Sequence, residues 1–301
     1  MMNIPLISIA VCTYNGDKYL RQQLDSIVNQ TYPNLEIIIV DDVSSDKTME
    51  ILHEYDCMYT MIRVMRNELN LGYAKNFEKA IGLCNGEYIA LSDQDDIWAH
   101  DKIQLLKDNI GDKVMIYHDS EFIDQTGQSM NKYVSDVFNM YEGNSSLPFL
   151  FDNCVSGHAV MFKKSLCKNI FPFPEKLYHD WWMAFIAAEN GGIKYYDRAL
   201  VHYRQHTNSN TDMLSIKIKP ESDKKNHIHE IKPNWLITCM KKSSVRKVYI
   251  KDLLSCFNID YSIKNPIKLF FLLFKHYKLL FYQKKKGNIS KINYIRKMCF
   301  S

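Results

Sequence analysis

Ile7-Ser8-Ile9-Ala10-Val11-Cys12 is a short apolar run rich in β-branched residues, and Leu35-Glu36-Ile37-Ile38-Ile39-Val40 is a second. Runs of this length bounded by turn residues read as buried strands. Between them Leu20, Leu24, Ile27 and Val28 recur at helical spacing. Thr48 to Tyr55 reads as another helix, Ile62 to Met65 as a third strand, Gly72 to Cys84 as a third helix and Glu87 to Leu91 as a fourth strand. Strands alternating with helices in this way predict an α/β fold on a parallel sheet with crossover helices. Past about residue 112 the pattern is mixed. Val114 to Tyr117 and Ala159 to Phe162 read as strands, and His179 to Asn190 as a helix. Thr207 to Thr211 reads as a polar loop, residues 213–232 as a charged linker, and the chain beyond Pro233 as helices.

Charge divides the chain at the same place. The overall balance is +4, but residues 1–212 carry 18 Lys and Arg against 29 Asp and Glu, a balance of −11, and residues 213–301 carry 20 against 5, a balance of +15. An acidic body with a basic tail predicts that the tail faces something anionic. With 301 residues, 46% apolar and 24% charged, the chain can bury a sizeable core, which excludes disordered and collagen-like classes. Eight cysteines (Cys12, Cys57, Cys84, Cys154, Cys167, Cys239, Cys256 and Cys299) are scattered without a CxxC pair. A zinc site or disulfide framework is therefore not expected, and a reducing, cytoplasmic compartment is. The N-terminus lacks the basic and apolar regions of a signal peptide. The most apolar window, Ile267 to Tyr282, is interrupted by Lys268, Lys275, His276 and Lys278, whereas a spanning helix needs about 20 mostly apolar residues.

In open α/β sheets, ligands bind beyond the carboxyl ends of the strands. Three segments place polar residues there: Thr13-Tyr14-Asn15, Asp41-Asp42 and Asp93-Gln94-Asp95-Asp96. Three carboxylates within four residues repel one another unless a cation or donors compensate. A hard ion such as Mg²⁺ takes one or two carboxylates and completes its shell with water and substrate phosphates. The plain alternative is an acidic turn capping the following helix. Neither G-x-G-x-x-G after the first strand nor G-x-x-x-x-G-K-S/T occurs, which disfavours a dinucleotide oxidoreductase and a P-loop NTPase.

Ser8 to Asn15, Ile38 to Thr48 and Asn67 to Gly72 resemble successive signatures of family 2 glycosyltransferases, and Ala90 to Trp98 is similar to that family's Asp-x-Asp region. The resemblance covers about residues 5–212. It implies a GT-A fold, a nucleotide-sugar donor and a divalent cation, Mg²⁺ or Mn²⁺. It also implies a catalytic domain over residues 1–212, with a nucleotide-sugar half at 1–112 and an acceptor half at 113–212. A linker at 213–232 and a basic helical extension at 233–301 would follow. The form Ser92-Asp93-Gln94-Asp95-Asp96-Ile97-Trp98 looks most like the bacterial rhamnosyltransferase-like branch that builds O-antigen and capsular polysaccharide.

Carried over residue by residue, the resemblance implies that Cys12, Tyr14 and Asp42 line the base and ribose pocket, with Asn15 and Asn70 in the same nucleotide-sugar site. Asp93 would reach the ribose or the water shell of the metal, Asp95 would ligate it, and His206 would join Asp95 on the metal or meet the leaving diphosphate. Val43 stands where the family often carries Gly, which should alter the turn without removing a ligand. Asp180 matches the base of inverting transfer, while His179 replaces the usual Glu before it. A carboxylate within hydrogen-bond reach can accept the proton of the attacking hydroxyl, although Asp180 also suits a helix cap. Ser156-Gly157-His158 resembles the segment bordering the acceptor site, which places Gly157 and His158 there. Trp181 and Trp182 either stack on sugar rings or fill the core. Tyr203-Arg204-Gln205-His206 is similar to the end of the catalytic domain, where Arg204 offers a fork of donors to the leaving diphosphate or pairs with carboxylates.

Pro266 to Tyr282 mixes Phe, Leu and Tyr with Lys. Such a basic, aromatic-rich amphipathic helix reads as an anionic membrane-surface element. Packing on the catalytic domain, or a homodimer, would use the same residues. The whole chain therefore reads as an inverting glycosyltransferase at the inner face of the plasma membrane. It would move a sugar from dTDP-rhamnose or a UDP-sugar to a glycan or lipid-linked oligosaccharide. One rival is a Mg-dependent nucleotidyltransferase, which would want a Gly-rich basic loop where Thr13-Tyr14-Asn15-Gly16-Asp17 stands. The other is a non-catalytic membrane or nucleic-acid adaptor, permitted by the tail's charge alone. Phosphate binding leaves Asp93, Asp95 and Asp180 together unexplained, so no nucleic acid is expected.

Overall fold

Side chains along a strand alternate between the two faces of its sheet, and here both faces are covered. The structure, a computed structural model, describes residues 4–175, 177–206 and 233–300. The loop read at 207–211 and the linker at 213–232 lie outside them. In β1 (Ile7–Thr13), Ile7, Ile9 and Val11 join one core and Ala10 and Cys12 the other. In β2 (Leu35–Asp41), Ile37 and Ile39 divide from Ile38 and Val40 in the same way. Burial on both faces explains why these strands read as unbroken apolar runs. Leu20, Leu24 and Ile27 of α1 (Asp17–Val28) cover the first face, with Ile51 and Leu52 of α2 (Thr48–Met58). Phe77, Ala80 and Ile81 of α3 (Tyr73–Leu83) cover the second. Ile103 and Leu106 of α4 (Lys102–Asn109) return to the first.

The sheet continues through β3 (Ile62–Arg66), β4 (Tyr88–Ser92), β5 (Ile97–Trp98), β6 (Met115–Ile123), β7 (Ser129–Tyr133), β8 (Val160–Lys163) and β9 (Ile193–Arg204). Its order is β3-β2-β1-β4-β8-β6-β9-β5, with β7 on β6. The first four strands are parallel, as their alternation with helices predicts. β8 then runs antiparallel to both β4 and β6, so the sheet as a whole is mixed. Thr13 lies beside Asp41, and Val11 beside Ser92, so β1, β2 and β4 all end on one edge. The sequence pattern shows no strand at β9, where Lys194, Asp197 and Arg198 interrupt the apolar positions. Parallel pairing with β6, through two register shifts near Asp119, makes it one.

The second half adds short helices α5 (Val134–Val137) and α6 (Cys167–Ile170) and the longer α7 (His179–Glu189). The tail forms α8 (Pro233–Lys242), α9 (Lys247–Leu254), α10 (Pro266–Lys275), α11 (Tyr277–Leu280) and α12 (Asn288–Phe300). These helices share one apolar core with α7 rather than standing apart. Trp235 packs within 5.0 Å of Trp181 and 5.7 Å of Phe185, ring centre to ring centre. Lys284 pairs with Asp152 at 2.9 Å, and Asn139 donates to the carbonyl of Tyr282 at 2.9 Å. The expectation that the stretch from Pro266 to Tyr282 turns its apolar side to a membrane is corrected in part. Leu269, Leu273, Leu280 and Phe281 are buried against the domain, while Ile267, Phe271 and Phe274 stay exposed. Among the described residues no helix is long and apolar enough to cross a membrane.

Candidate active site at the carboxyl ends of the strands

The turn after β1 and the turn after β2 hold each other. Asn15 donates its N–H to the Ser44 hydroxyl at 2.9 Å, and its side-chain oxygen accepts the Ser45 N–H at 2.8 Å. The Ser44 hydroxyl in turn donates to Asp41, which also accepts Thr13 Oγ1 at 3.0 Å and the Ser44 N–H at 2.9 Å. Two non-glycine residues here are left-handed, Asn15 with φ 48° and Val43 with φ 67°. Asn tolerates this region, whereas a β-branched residue there is a genuine outlier. The departure noted at Val43 thus stores backbone strain of order 1–3 kcal/mol. Val43→Gly is expected to raise unfolding stability by about 1 kcal/mol, the added chain entropy of Gly offsetting part of the relief. A urea midpoint that falls in this variant would contradict the strain.

Asp42 is buried, and its oxygens are taken by the Asn67 side chain at 2.7 Å and the N–H groups of Leu71 and Gly72, both at 2.8 Å. Asn70 donates to the Asp42 carbonyl at 3.0 Å. Both residues therefore shape the pocket by fastening the loop at 67–72. Burial, followed by the charges of Asp93 and Asp42, pushes the Cys12 thiol well up, so it stays protonated against this wall. Tyr14 stands exposed, its backbone gripped in both directions by Gln94: Tyr14 N–H donates to Oε1 at 2.8 Å, and Nε2 donates to the Tyr14 carbonyl at 3.0 Å. A Cβ on Gly16 would lie 2.3 Å from Gln94 Oε1, so a side chain there would push Gln94 off the Tyr14 backbone. Gln94 was not singled out from the sequence. Only its position between two strand ends gives it a role.

The acidic loop after β4 splits into an open and a sealed part. Asp95 Oδ2 meets His206 Nε2 at 2.8 Å, with both side chains partly exposed to the cleft. Asp96 is sealed: one oxygen accepts the Arg204 N–H at 2.9 Å, and the other lies 3.6 Å from His158 Nδ1. Asp93, with its side chain 40% exposed, lies 3.8 Å from the same nitrogen. Lys102 is buried beneath them, donating to the His158 carbonyl at 2.6 Å and lying 3.4 Å from the Trp98 ring centre. Burial, reinforced by Asp95 and Asp93, pushes the Asp96 carboxyl well up, and burial pushes Lys102 well down. Burial also works to raise Asp93, but the neighbouring His158 imidazole, followed by His179 and Lys102, outweighs it and holds that carboxyl low. Carboxylate oxygens of this kind suit Mg²⁺ or Mn²⁺. Asp93, Asp96 and His158 bring one donor atom each within 4.8 Å of one another, yet Asp96 and His158 are buried. Asp93, at 40%, and the Asp95–His206 pair, at 20% and 14%, are the side chains that keep some exposure to solvent.

Asp180 is the second residue of α7, with Tyr178 rather than Asp180 in the capping position, and its Oδ1 accepts the Trp181 N–H at 2.7 Å. Burial raises its carboxyl; His179 and the Trp181 N–H oppose this, and the charge of Asp93 adds to it. A raised carboxyl is the stronger base. A Cβ on Gly157 would lie 2.9 Å from His179 Nε2 and 3.9 Å from Asp180 Cβ, so Gly157 sits directly behind this helix start. His179 is a buried ring stacked 4.5 Å from Phe77, its imidazole held below the usual range by burial, and neither of its nitrogens has a hydrogen-bond partner among the described residues.

Burial corrects three expectations, and packing a fourth. Arg204 is 1% exposed and donates to the Asp95 carbonyl and to Gln22, both at 2.8 Å, so it braces the acidic loop instead of facing a diphosphate. His158 is equally buried, bound to Ser120 Oγ at 2.9 Å, and lies beneath the site rather than against an acceptor. Trp182 is buried and donates to the Ile170 carbonyl at 2.8 Å. Trp181 donates to the Phe149 carbonyl at 2.6 Å and packs on Trp235, which commits it to the core.

Comparison with known proteins agrees with this fold. The family Glycosyl transferase family 2 matches residues 8–171. The chain is 30% identical over 224 residues to dTDP-rhamnosyl transferase RfbG of Shigella flexneri, covering 69% of this chain and 76% of that one. It is 31% identical over 219 residues to the putative glycosyltransferase EpsH of Bacillus subtilis, covering 69% and 63%. In fold it is similar to residues 1–349 of S. aureus TarS in complex with UDP-GlcNAc, with a TM-score of 0.59 at 18% identity over 97% of this chain and 87% of that one. The mannosyltransferase PcManGT from Pyrobaculum calidifontis in complex with GDP-Man and Mn²⁺ gives a TM-score of 0.55 at 14% identity over 98% and 80%. Its sheet is the mixed one of the GT-A fold, and the chain belongs to the family 2 glycosyltransferases.

Proposed function

We propose that this glycosyltransferase moves a sugar from dTDP-rhamnose to a glycan hydroxyl with inversion, using Asp180 as the base. The observation that carries the site is the contact of Asp95 with His206, which spans 111 residues of sequence and brings a carboxylate and an imidazole together beyond the end of β4. A divalent cation held by these two would neutralise charge on the departing diphosphate. Tyr14, Asn15 and the loop fastened by Asp42 would hold the nucleotide. Asp180 takes the proton of the acceptor hydroxyl as its oxygen bonds to the anomeric carbon. The bond from that carbon to the diphosphate breaks in the same displacement, which inverts the centre.

The rhamnosyl donor is favoured by the likeness to RfbG. A UDP-sugar is the second reading, since the TarS structure that shares this fold was solved with UDP-GlcNAc. A thermal-shift panel of UDP, dTDP, GDP and CMP, each with and without Mn²⁺, separates them. A nucleotide present at about 100 times its Kd adds about 2.7 kcal/mol of stability. The expected result is a Mn²⁺-dependent shift largest with dTDP. A larger shift with UDP moves the donor, and no shift with any nucleotide removes the transferase site from this cleft.

The tail supports placement at an anionic membrane surface. Ile267, Phe271 and Phe274 form an exposed apolar stripe at helical spacing, flanked by Lys275 and Lys278. Residues 233–300 carry 15 Lys and Arg against 2 Asp and Glu. Co-sedimentation with vesicles containing phosphatidylglycerol, absent with purely zwitterionic vesicles and lost in Phe271→Glu, is the expected outcome. Equal binding to both vesicle types would discard the charge argument.

A further inference from the structure

With Trp181 and Trp182 committed to the core, the aromatic surface beside the base is supplied by two tyrosines from distant parts of the chain. Tyr73 is 41% exposed and Tyr178 is 49% exposed. Their ring centres lie 6.4 Å apart at 33°. Tyr73 opens α3 immediately after the loop fastened to Asp42, and Tyr178 stands two residues before Asp180. Tyr73 is mounted on a buried group of rings, and Tyr178 packs against Tyr73. His179 lies 5.8 Å from Tyr73, 4.5 Å from Phe77 and 6.1 Å from Phe173. The loop carrying Phe173 is tied to α3, its N–H donating to Glu78 at 2.7 Å. Tyr73 also feels the base itself: burial first, then the Tyr178 hydroxyl and the Asp180 charge, push its phenol up to about 12. Beyond the pair, a surface cleft of about 630 Å³ runs between α3 and the same loop, lined by Leu71, Lys75, Glu78, Lys79, Phe171 and Pro172.

We propose that Tyr73 and Tyr178 form an acceptor subsite that takes one pyranose ring of the glycan, with the next sugars lying along the cleft beside α3. This rests on the transferase reading given above. A pyranose presents an apolar face of C–H groups and a rim of hydroxyls. Two rigid amphipathic rings on a fixed base match both, at small cost in side-chain entropy. The position also suits the chemistry, because the sugar whose hydroxyl Asp180 deprotonates must lie within hydrogen-bond reach of that carboxylate. A flat nucleobase is the other ring such a pair could take, and it is an outcome of the test.

The full chain is titrated with octyl α- and β-glycosides of glucose, galactose, N-acetylglucosamine and rhamnose, followed by saturation-transfer NMR in the presence of Mn²⁺ with dTDP or UDP. Nucleotide affinity is measured separately by calorimetry. At least one glycoside is expected to bind the wild type, to bind Tyr73→Ala and Tyr178→Ala about tenfold more weakly, and to recover in Tyr73→Phe and Tyr178→Phe, which keep the stacking face. Nucleotide affinity and the thermal midpoint are expected to stay unchanged. Glycoside binding that is absent in the wild type, or unaltered in both Ala variants, overturns the subsite while leaving the nucleotide result standing. Loss of nucleotide affinity in the Ala variants assigns the pair to the base instead. Absence of any Mn²⁺-dependent nucleotide binding is the separate failure that would sink the transferase reading underneath.

Discussion

Asp180→Asn is expected to lower kcat by about 10²–10⁴-fold, the range that positioned general bases contribute. The side chain keeps its shape and its contact with the Trp181 N–H, so Mn²⁺-dependent nucleotide binding should survive. Stability should not fall either. Burial raises the Asp180 carboxyl in the folded chain, so folding favours the protonated form and the ionised group at neutral pH works against the fold. That penalty is absent below the ordinary Asp range and sets in as pH rises through the raised value. Removing the charge therefore leaves the melting temperature equal or higher. The same shift predicts the pH profile: the acidic limb of kcat should lie above the value of about 3.9 typical of a free Asp. Full activity in Asp180→Asn, or a limb below that value, would assign proton removal to another group.

Asp95→Ala is expected to abolish the Mn²⁺ dependence of nucleotide binding and to reduce kcat by about 10³-fold, the scale of several kcal/mol of charge stabilisation. His206→Ala removes the partner at 2.8 Å and should raise the Mn²⁺ concentration needed for half-maximal activity, with excess Mn²⁺ restoring turnover. The decisive readout is metal-dependent thermal shift in Asp95→Ala. If it persists at wild-type size, the cation is held by Asp93, Asp96 and His158, and the open pair loses its role.

Arg204 illustrates how a side chain can matter to this chemistry without touching a ligand. Its guanidinium lies 4.5 Å over the Tyr19 ring and bonds to Asp95, Asp124, Gln125 and Gln22. Those bonds join the acidic loop, the turn after β6 and α1 into one unit. Residue type alone suggested a phosphate fork, because Arg is suited to one. With these donors taken inside the protein and the side chain 1% exposed, that suitability has no outlet.

Much of this protein is legible in one dimension. Apolar runs at Ile7–Cys12, Leu35–Val40 and Glu87–Leu91, each ending in polar residues, place three strand ends and the acidic loop. Local sequence suffices there because a strand buried on both faces must be apolar throughout. The motif order, the left-handed Val43 position and Asp180 at a helix start are local in the same sense. Tertiary structure alone decided the rest. β9 carries Lys194, Asp197 and Arg198 and is a strand only because β6 and β5 flank it. Asp95 with His206, Gln94 with Tyr14, and Tyr73 with Tyr178 pair across 111, 80 and 105 positions. Burial of Trp182, His158 and Arg204 likewise depends on what packs over them, a property of the folded neighbourhood that no residue's own chemistry contains.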